Sequence, residues 1–111
     1  MAKFETVLKN RSFDEWLDRF EKAIVNGSAT ASLEDKSDFV SPEGRSRVSV
    51  RVFERFSVAG SNRVSLSLTL YQDETGEIRL SAIASGGSQA MFFKINTLGE
   101  EAFLDRLKEL I

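Results

Sequence analysis

The chain has 111 residues, with 15 Lys and Arg against 17 Asp and Glu for a net charge of −2, which is enough for one small domain and argues against bulk nucleic-acid binding. It contains no cysteine and no histidine, which excludes disulfides, thiol catalysis and zinc-thiolate sites and removes the usual neutral-pH base and the commonest transition-metal ligand. No apolar run approaches the roughly 18 residues of a membrane-spanning helix, and the start Met1-Ala2-Lys3-Phe4-Glu5 lacks the apolar core of a signal peptide, so a cytoplasmic location is expected.

In chain order, residues 3–9 read as a first short strand. Ser12 with Glu15 three residues on is a capping box that starts a helix. Phe13, Trp16, Leu17, Phe20 and Ile24 follow at helical spacing and predict one buried face. Asn26-Gly27 predicts its end, with Gly27 suited to a left-handed conformation. From residue 28 the period becomes two. Ala29, Ala31 and Leu33 alternate with Thr30, Ser32 and Glu34; Pro42-Glu43-Gly44 is a turn. Val48, Val50, Val52, Phe56 and Val58 then alternate with Arg47, Ser49, Arg51, Arg55 and Ser57, up to a turn at Gly60-Ser61-Asn62. Val64, Leu66, Leu68 and Leu70 alternate with Ser65, Ser67, Thr69 and Tyr71, up to a turn at 73–76, and Ile78, Leu80, Ala82 and Ala84 alternate with Arg79, Ser81 and Ser85. Strands joined by short turns make an antiparallel meander. Residues 86–90 break the pattern, Met91–Ile95 is a candidate further strand, and Thr97 with Glu100 is a second capping box. Phe103, Leu104, Leu107, Leu110 and Ile111 give the last helix an apolar face.

The expectation is one α+β domain over 1–111: an antiparallel meander of four to six strands with two helices on its aliphatic face, in the order β-α-β-β-β-β-(β)-α. The other face is expected to be wet or bound to a partner.

The stretches Asn26-Gly27-Ser28 to Ala31-Ser32-Leu33-Glu34-Asp35, and Ser85-Gly86-Gly87-Ser88-Gln89-Ala90-Met91-Phe92-Phe93-Lys94-Ile95-Asn96 on to Gly99-Glu100-Glu101, resemble a family of short bacterial proteins, mostly Gram-positive, known only as a domain of unknown function. The resemblance covers nearly the whole chain. It implies a small stand-alone domain and brings no activity, cofactor or site residue.

Three features are candidate sites. In the loop Gly86, Gly87, Ser88 and Gln89, two glycines admit a ligand to the backbone, and successive N–H groups are able to cradle an anion. It matches neither the Walker loop nor the dinucleotide fingerprint, and a glycine bend at a sheet corner is the simpler reading. The second is a basic and aromatic sheet face of Arg47, Arg51, Phe53, Arg55, Tyr71 and Arg79. Residues 45–63 carry five arginines against one glutamate, whereas 12–26 and 97–111 each carry four acids against two bases. Arginines among aromatics suit single-stranded bases, but no RNA-binding motif is present and the chain is acidic overall, which disfavours nucleic acid. A solvated or dimer-buried face is preferred. The third is Glu54, which falls on the parity of Val52 and Phe56 while Phe53 falls on the polar one. A lone buried carboxylate has a raised pKa; a β-bulge near 53–54 that returns Phe53 to the core is the simpler explanation.

No cofactor, metal or catalytic residue is implied. The function read from these residues is a non-catalytic binding or protein-interaction module, expected to form a homodimer or to meet a protein partner. The alternative is an apolar-ligand carrier with a cavity lined by Trp16, Phe20, Phe92, Phe103 and Leu107. For self-association, edge pairing is slightly favoured, because two arginine faces repel unless acids such as Glu34 or Glu77 stand opposite.

Overall fold

The computed structural model describes residues 1–57, 62–86 and 104–111. The strands are β1 (Ala2–Leu8), β2 (Ser32–Val40), β3 (Arg47–Ser57), β4 (Asn62–Gln72) and β5 (Ile78–Gly86), with helix α1 (Phe13–Asn26) between β1 and β2. Residues 104–108 are helical and form α2. The sheet has the order β1-β5-β4-β3-β2, and its neighbours are antiparallel throughout. The meander runs from β2 to β5, and β1 closes the row beside β5. This is the α+β architecture expected from the sequence.

Local chemistry explains the element ends. The Ser12 hydroxyl accepts from the Glu15 N–H at 3.2 Å, and the Ser12 N–H donates to the Glu15 carboxylate at 3.3 Å. These contacts satisfy two amides at the helix start. Asn10, at φ 73°, turns the chain from β1 toward α1, a conformation asparagine tolerates better than most residues. Between β2 and β3 the Gly44 N–H donates to the Ser41 carbonyl at 2.8 Å, and between β4 and β5 the Gly76 N–H donates to the Asp73 carbonyl at 3.0 Å. Both glycines have positive φ, 73° and 91°, which these reversals require.

The core lies between the sheet and the helices. Phe13, Trp16, Leu17, Phe20 and Ile24 of α1, as the periodicity predicts, meet Leu66, Leu68, Leu70 and Leu80. Leu104 and Leu107 bring α2 onto the same side. Ala82 and Ala84 are fully buried and leave room for the helices to approach the sheet. Trp16 stacks on Phe20 with ring centres 5.5 Å apart. Among the described residues no helix is long and apolar enough to cross a membrane.

Several expectations are corrected. Residues 28–31 form a turn closed by the Ala31 N–H to the Ser28 carbonyl at 3.3 Å, so β2 begins at Ser32 and runs on to Val40. Gly27 ends α1 in right-handed geometry, φ −77° and ψ −11°. A Cβ there would lie 2.6 Å from the Arg106 Nε and 2.7 Å from the Ala23 carbonyl oxygen, so glycine is needed for space rather than for handedness. Ile111 is half exposed and does not extend the buried stripe of α2. The Gly60-Ser61 part of the second turn, the Met91–Ile95 strand, the Thr97 and Glu100 capping box and Phe103 lie outside the described residues.

The largest correction concerns β3. Its ladder to β4 is unbroken from Arg47 to Ser57, with Phe53 opposite Leu66 and Arg51 opposite Leu68. Directly paired residues share a face, so Arg47, Ser49, Arg51, Phe53 and Arg55 lie on the helix side, and Val48, Val50 and Val52 on the open side. Phe53 is buried without the bulge expected at 53–54. The register shift lies instead in β2, between Leu33 and Asp35.

Candidate functional site

The inversion of β3 follows from the charges of its neighbours. Asp14 and Glu21 stand two helical turns apart on α1, a rise of about 10 Å. Arg47 and Arg51 stand four residues apart on β3, about 13 Å. The two spacings match closely enough for both pairs to form. Arg47 meets Asp14 at 3.0 Å, and its guanidinium lies 4.0 Å above the Phe13 ring. Arg51 is only 6% exposed; its Nε donates to Glu21 at 2.5 Å and its Nη1 to Asp38 of β2 at 2.9 Å and to the Val50 carbonyl at 3.0 Å. Ser49 donates to the same Asp38 at 2.5 Å. Burial alone would lower the Arg51 pKa, but the hydrogen bonds to Glu21 and Asp38 outweigh it and hold the guanidinium above its ordinary value. The Ser49 hydroxyl and then the Arg51 guanidinium hold Asp38 below the usual carboxylate range. Burial pulls Arg55 below its ordinary value. Arg47 and Arg51 therefore tie α1 and β2 to β3.

The expected basic and aromatic face is thus divided by the sheet. Arg47, Arg51, Phe53 and Arg55 lie on the helix side. Tyr71 pairs with Val48 and Arg79 with Tyr71, so these two lie on the open side. The interaction face read from the sequence is corrected to that extent: its β3 members turn to the helix side, where Arg47 and Arg51 bind α1. Glu54 is on the open face, paired with Arg63 at 3.2 Å. Gly86 ends β5 opposite Val64; Gly87, Ser88 and Gln89 lie outside the described residues. Of the expected carrier lining, Trp16, Phe20 and Leu107 are members of the core cluster, and Phe92 and Phe103 lie outside the described residues.

What occupies the open face is more apolar than the sequence suggested. Across one end the register places Val7, Arg79, Tyr71, Val48 and Phe39 side by side. Phe39 is 66% exposed and Tyr71 44%. Val50 and Val52 continue the β3 row, with Thr69 and Ser67 opposite them on β4. Ile83 is exposed on β5. Glu5, Val7, Thr69, Tyr71, Arg79 and Ser81 rim a shallow depression of about 440 Å³ on this face. Three ion pairs lie here, Lys3 to Glu5 at 3.5 Å, Arg79 to Glu77 at 2.8 Å and Arg63 to Glu54 at 3.2 Å, while Asp35, opposite Val52, faces the same side and accepts from the Lys36 N–H at 2.8 Å. The sequence signal for this face was the valine row itself, which was assigned to the wrong side.

The β2 edge is guarded. It reads Ser-Leu-Glu-Asp-Lys-Ser-Asp-Phe-Val and is exposed over nearly its whole length. It carries the register shift, and the Lys36 N–H is already engaged by the Asp35 carboxylate at 2.8 Å. Charge, irregularity and an occupied donor are devices that discourage a further strand.

Among the described residues no group of three or more His, Cys, Asp or Glu side chains is placed to hold a metal ion. No curated protein and no solved structure matches the chain. The model of DUF6054, a family of unknown function, matches residues 1–111, and the chain belongs to that family.

Proposed function

We propose that this member of a family without an assigned activity is a non-catalytic, cytoplasmic protein-interaction module that binds through the open face of its sheet. The observation that carries the reading is the orientation of β3. Arg47 and Arg51 are engaged by α1 and β2, and its valines line the face opposite the helices together with Phe39 and Tyr71. Adjacent exposed and half-buried apolar side chains (Phe39, Val48, Tyr71) continuing into Val50 and Val52, with polar and charged residues around them, are characteristic of protein interaction sites. Among the described residues the helices occupy the opposite face, which leaves these side chains for a partner to cover. The absence of His and Cys supports a non-catalytic role. Among the described residues, Asp38 is held low first by the Ser49 hydroxyl and Asp73 by the Thr75 hydroxyl, the behaviour of hydrogen-bonded anions rather than of proton donors at neutral pH.

In-cell photo-crosslinking tests this reading. A photoreactive residue replacing Val50 on the open face is expected to give discrete protein adducts, and one replacing the exposed Lys22 of α1 none. Silence at Val50 with the protein folded contradicts the proposal.

A further inference from the structure

We infer that the occupant of the open face is the same face of a second copy of this chain, with the valine rows of the two β3 strands stacked across a two-fold axis near Val50. The inference rests on the reading above that this face is an interface, and adds the identity of the partner.

Three observations carry it. The first is size. Five strands about 4.8 Å apart and around nine residues long span roughly 700 Å², close to the about 800 Å² that each partner contributes to a standard stable interface. The second is charge. With Arg47 and Arg51 turned toward the helices, the objection that two arginine faces repel is removed. Most of the charges that remain are paired within each copy, and Asp35 on the β2 margin leaves the face with only a small net negative charge toward itself. The third is shape. Ser65, Ser67 and Thr69 of β4 lie beside the valine row, and such short side chains allow two sheets to approach to about 10 Å, the spacing of a β-sandwich. A two-fold axis across the strands at Val50 sets Val48 of one copy over Val52 of the other, and a self-complementary patch closes as a dimer without growing into a fibre. The guarded β2 edge removes one edge-to-edge alternative.

Sedimentation equilibrium on the full chain tests this in the micromolar range. Wild type is expected at twice the 12.4 kDa chain mass. Val50→Glu, which brings two carboxylates together at the axis, is expected to weaken association by roughly a hundredfold or more and to sediment as one chain with an unchanged circular dichroism spectrum. Thr69→Arg, one strand over, serves the same purpose should Val50→Glu fail to fold. Lys36→Pro, on the β2 edge, is expected to leave the double mass intact. A wild-type single-chain mass throughout overturns the inference, as does a dimer that survives both open-face changes or is lost only on Lys36→Pro. Photo-crosslinks from Val50 to a different protein alongside a monomeric wild type overturn the second copy while leaving the interaction reading standing; absence of both overturns the two together.

Discussion

Arg51 is the residue on which the packing of α1 over β3 turns. Its guanidinium bridges Glu21 on α1 and Asp38 on β2, and truncation strands both carboxylates in a partly desolvated site. Because both acids keep some solvent contact, Arg51→Ala is expected to cost about 2 kcal/mol, below the range for fully buried pairs. Urea denaturation of Arg51→Ala, Glu21→Gln and the double variant should show clear non-additivity. Asp38 gives the site a pH signature. Ser49 and Arg51 hold its carboxylate below the ordinary 3.8 in the folded state. A carboxylate held low stabilises fully above its unfolded value, and that contribution fades as pH falls through the lower folded one. Asp38→Asn should therefore flatten the loss of stability below about pH 4, measured as melting temperature against pH; an unchanged acid limb contradicts the assignment. Trp16 is buried, and its indole N–H has no acceptor among the described residues. Trp16→Ala should cost on the order of 3–5 kcal/mol, whereas Trp16→Phe, which keeps an aromatic ring against Phe20, should cost far less.

At the scale of elements, α1 was the most legible part of the chain. Ser12, Glu15 and the apolar positions 13, 16, 17, 20 and 24 behave as their spacing predicts, because capping and helical periodicity are local effects. Ser12→Ala should remove about 1 kcal/mol. Gly27→Ala should destabilise despite alanine's better helix propensity, because the added Cβ meets the Arg106 side chain and the Ala23 carbonyl; a more stable Gly27→Ala protein in denaturant titration would show that this contact yields. The strands β4 and β5 were equally legible, since their alternation of Leu or Ala with Ser or Thr leaves one choice of core face. β3 was not. Its valines suggested a buried face, but the decisive partners, Asp14, Glu21 and Asp38, lie on two other elements. Phe53 on the arginine parity and Glu54 on the valine parity were the clue. The economical answer was that the whole strand faces the other way, not that a bulge intervenes. The matched spacing of the α1 acids and the β3 arginines was a second clue in the sequence. β2 was misplaced because the Ala29 to Leu33 alternation is cut by the Ser28 turn, and because a strand of charged, exposed residues has no hydrophobic period to find.

For the whole molecule, the sequence separates an acidic α1 from a basic β3, and the fold brings them together, so that Arg47 and Arg51 are engaged by Asp14, Glu21 and Asp38. RNA binding is expected to be weak at physiological salt, since counterion release needs several exposed cations acting together; tight binding of a short single strand, lost on Arg51→Ala, would contradict this placement. Both helices lie on one side, and the other side presents valines, Phe39 and Tyr71 to solvent or to a partner. The absence of native cysteine makes single-cysteine labelling a direct probe of that arrangement. Ser49 is 1% exposed on the helix side, and Val50, its neighbour in sequence, lies on the open face. Thiol-labelling rates of Ser49→Cys and Val50→Cys, followed over a range of protein concentrations, test the central claim most directly. The account predicts that Ser49→Cys is protected at every concentration, and that Val50→Cys reacts freely when dilute and slows as the protein is concentrated. A reactive Ser49→Cys beside a protected Val50→Cys in dilute solution, or a Val50→Cys rate that does not change with concentration, would contradict it.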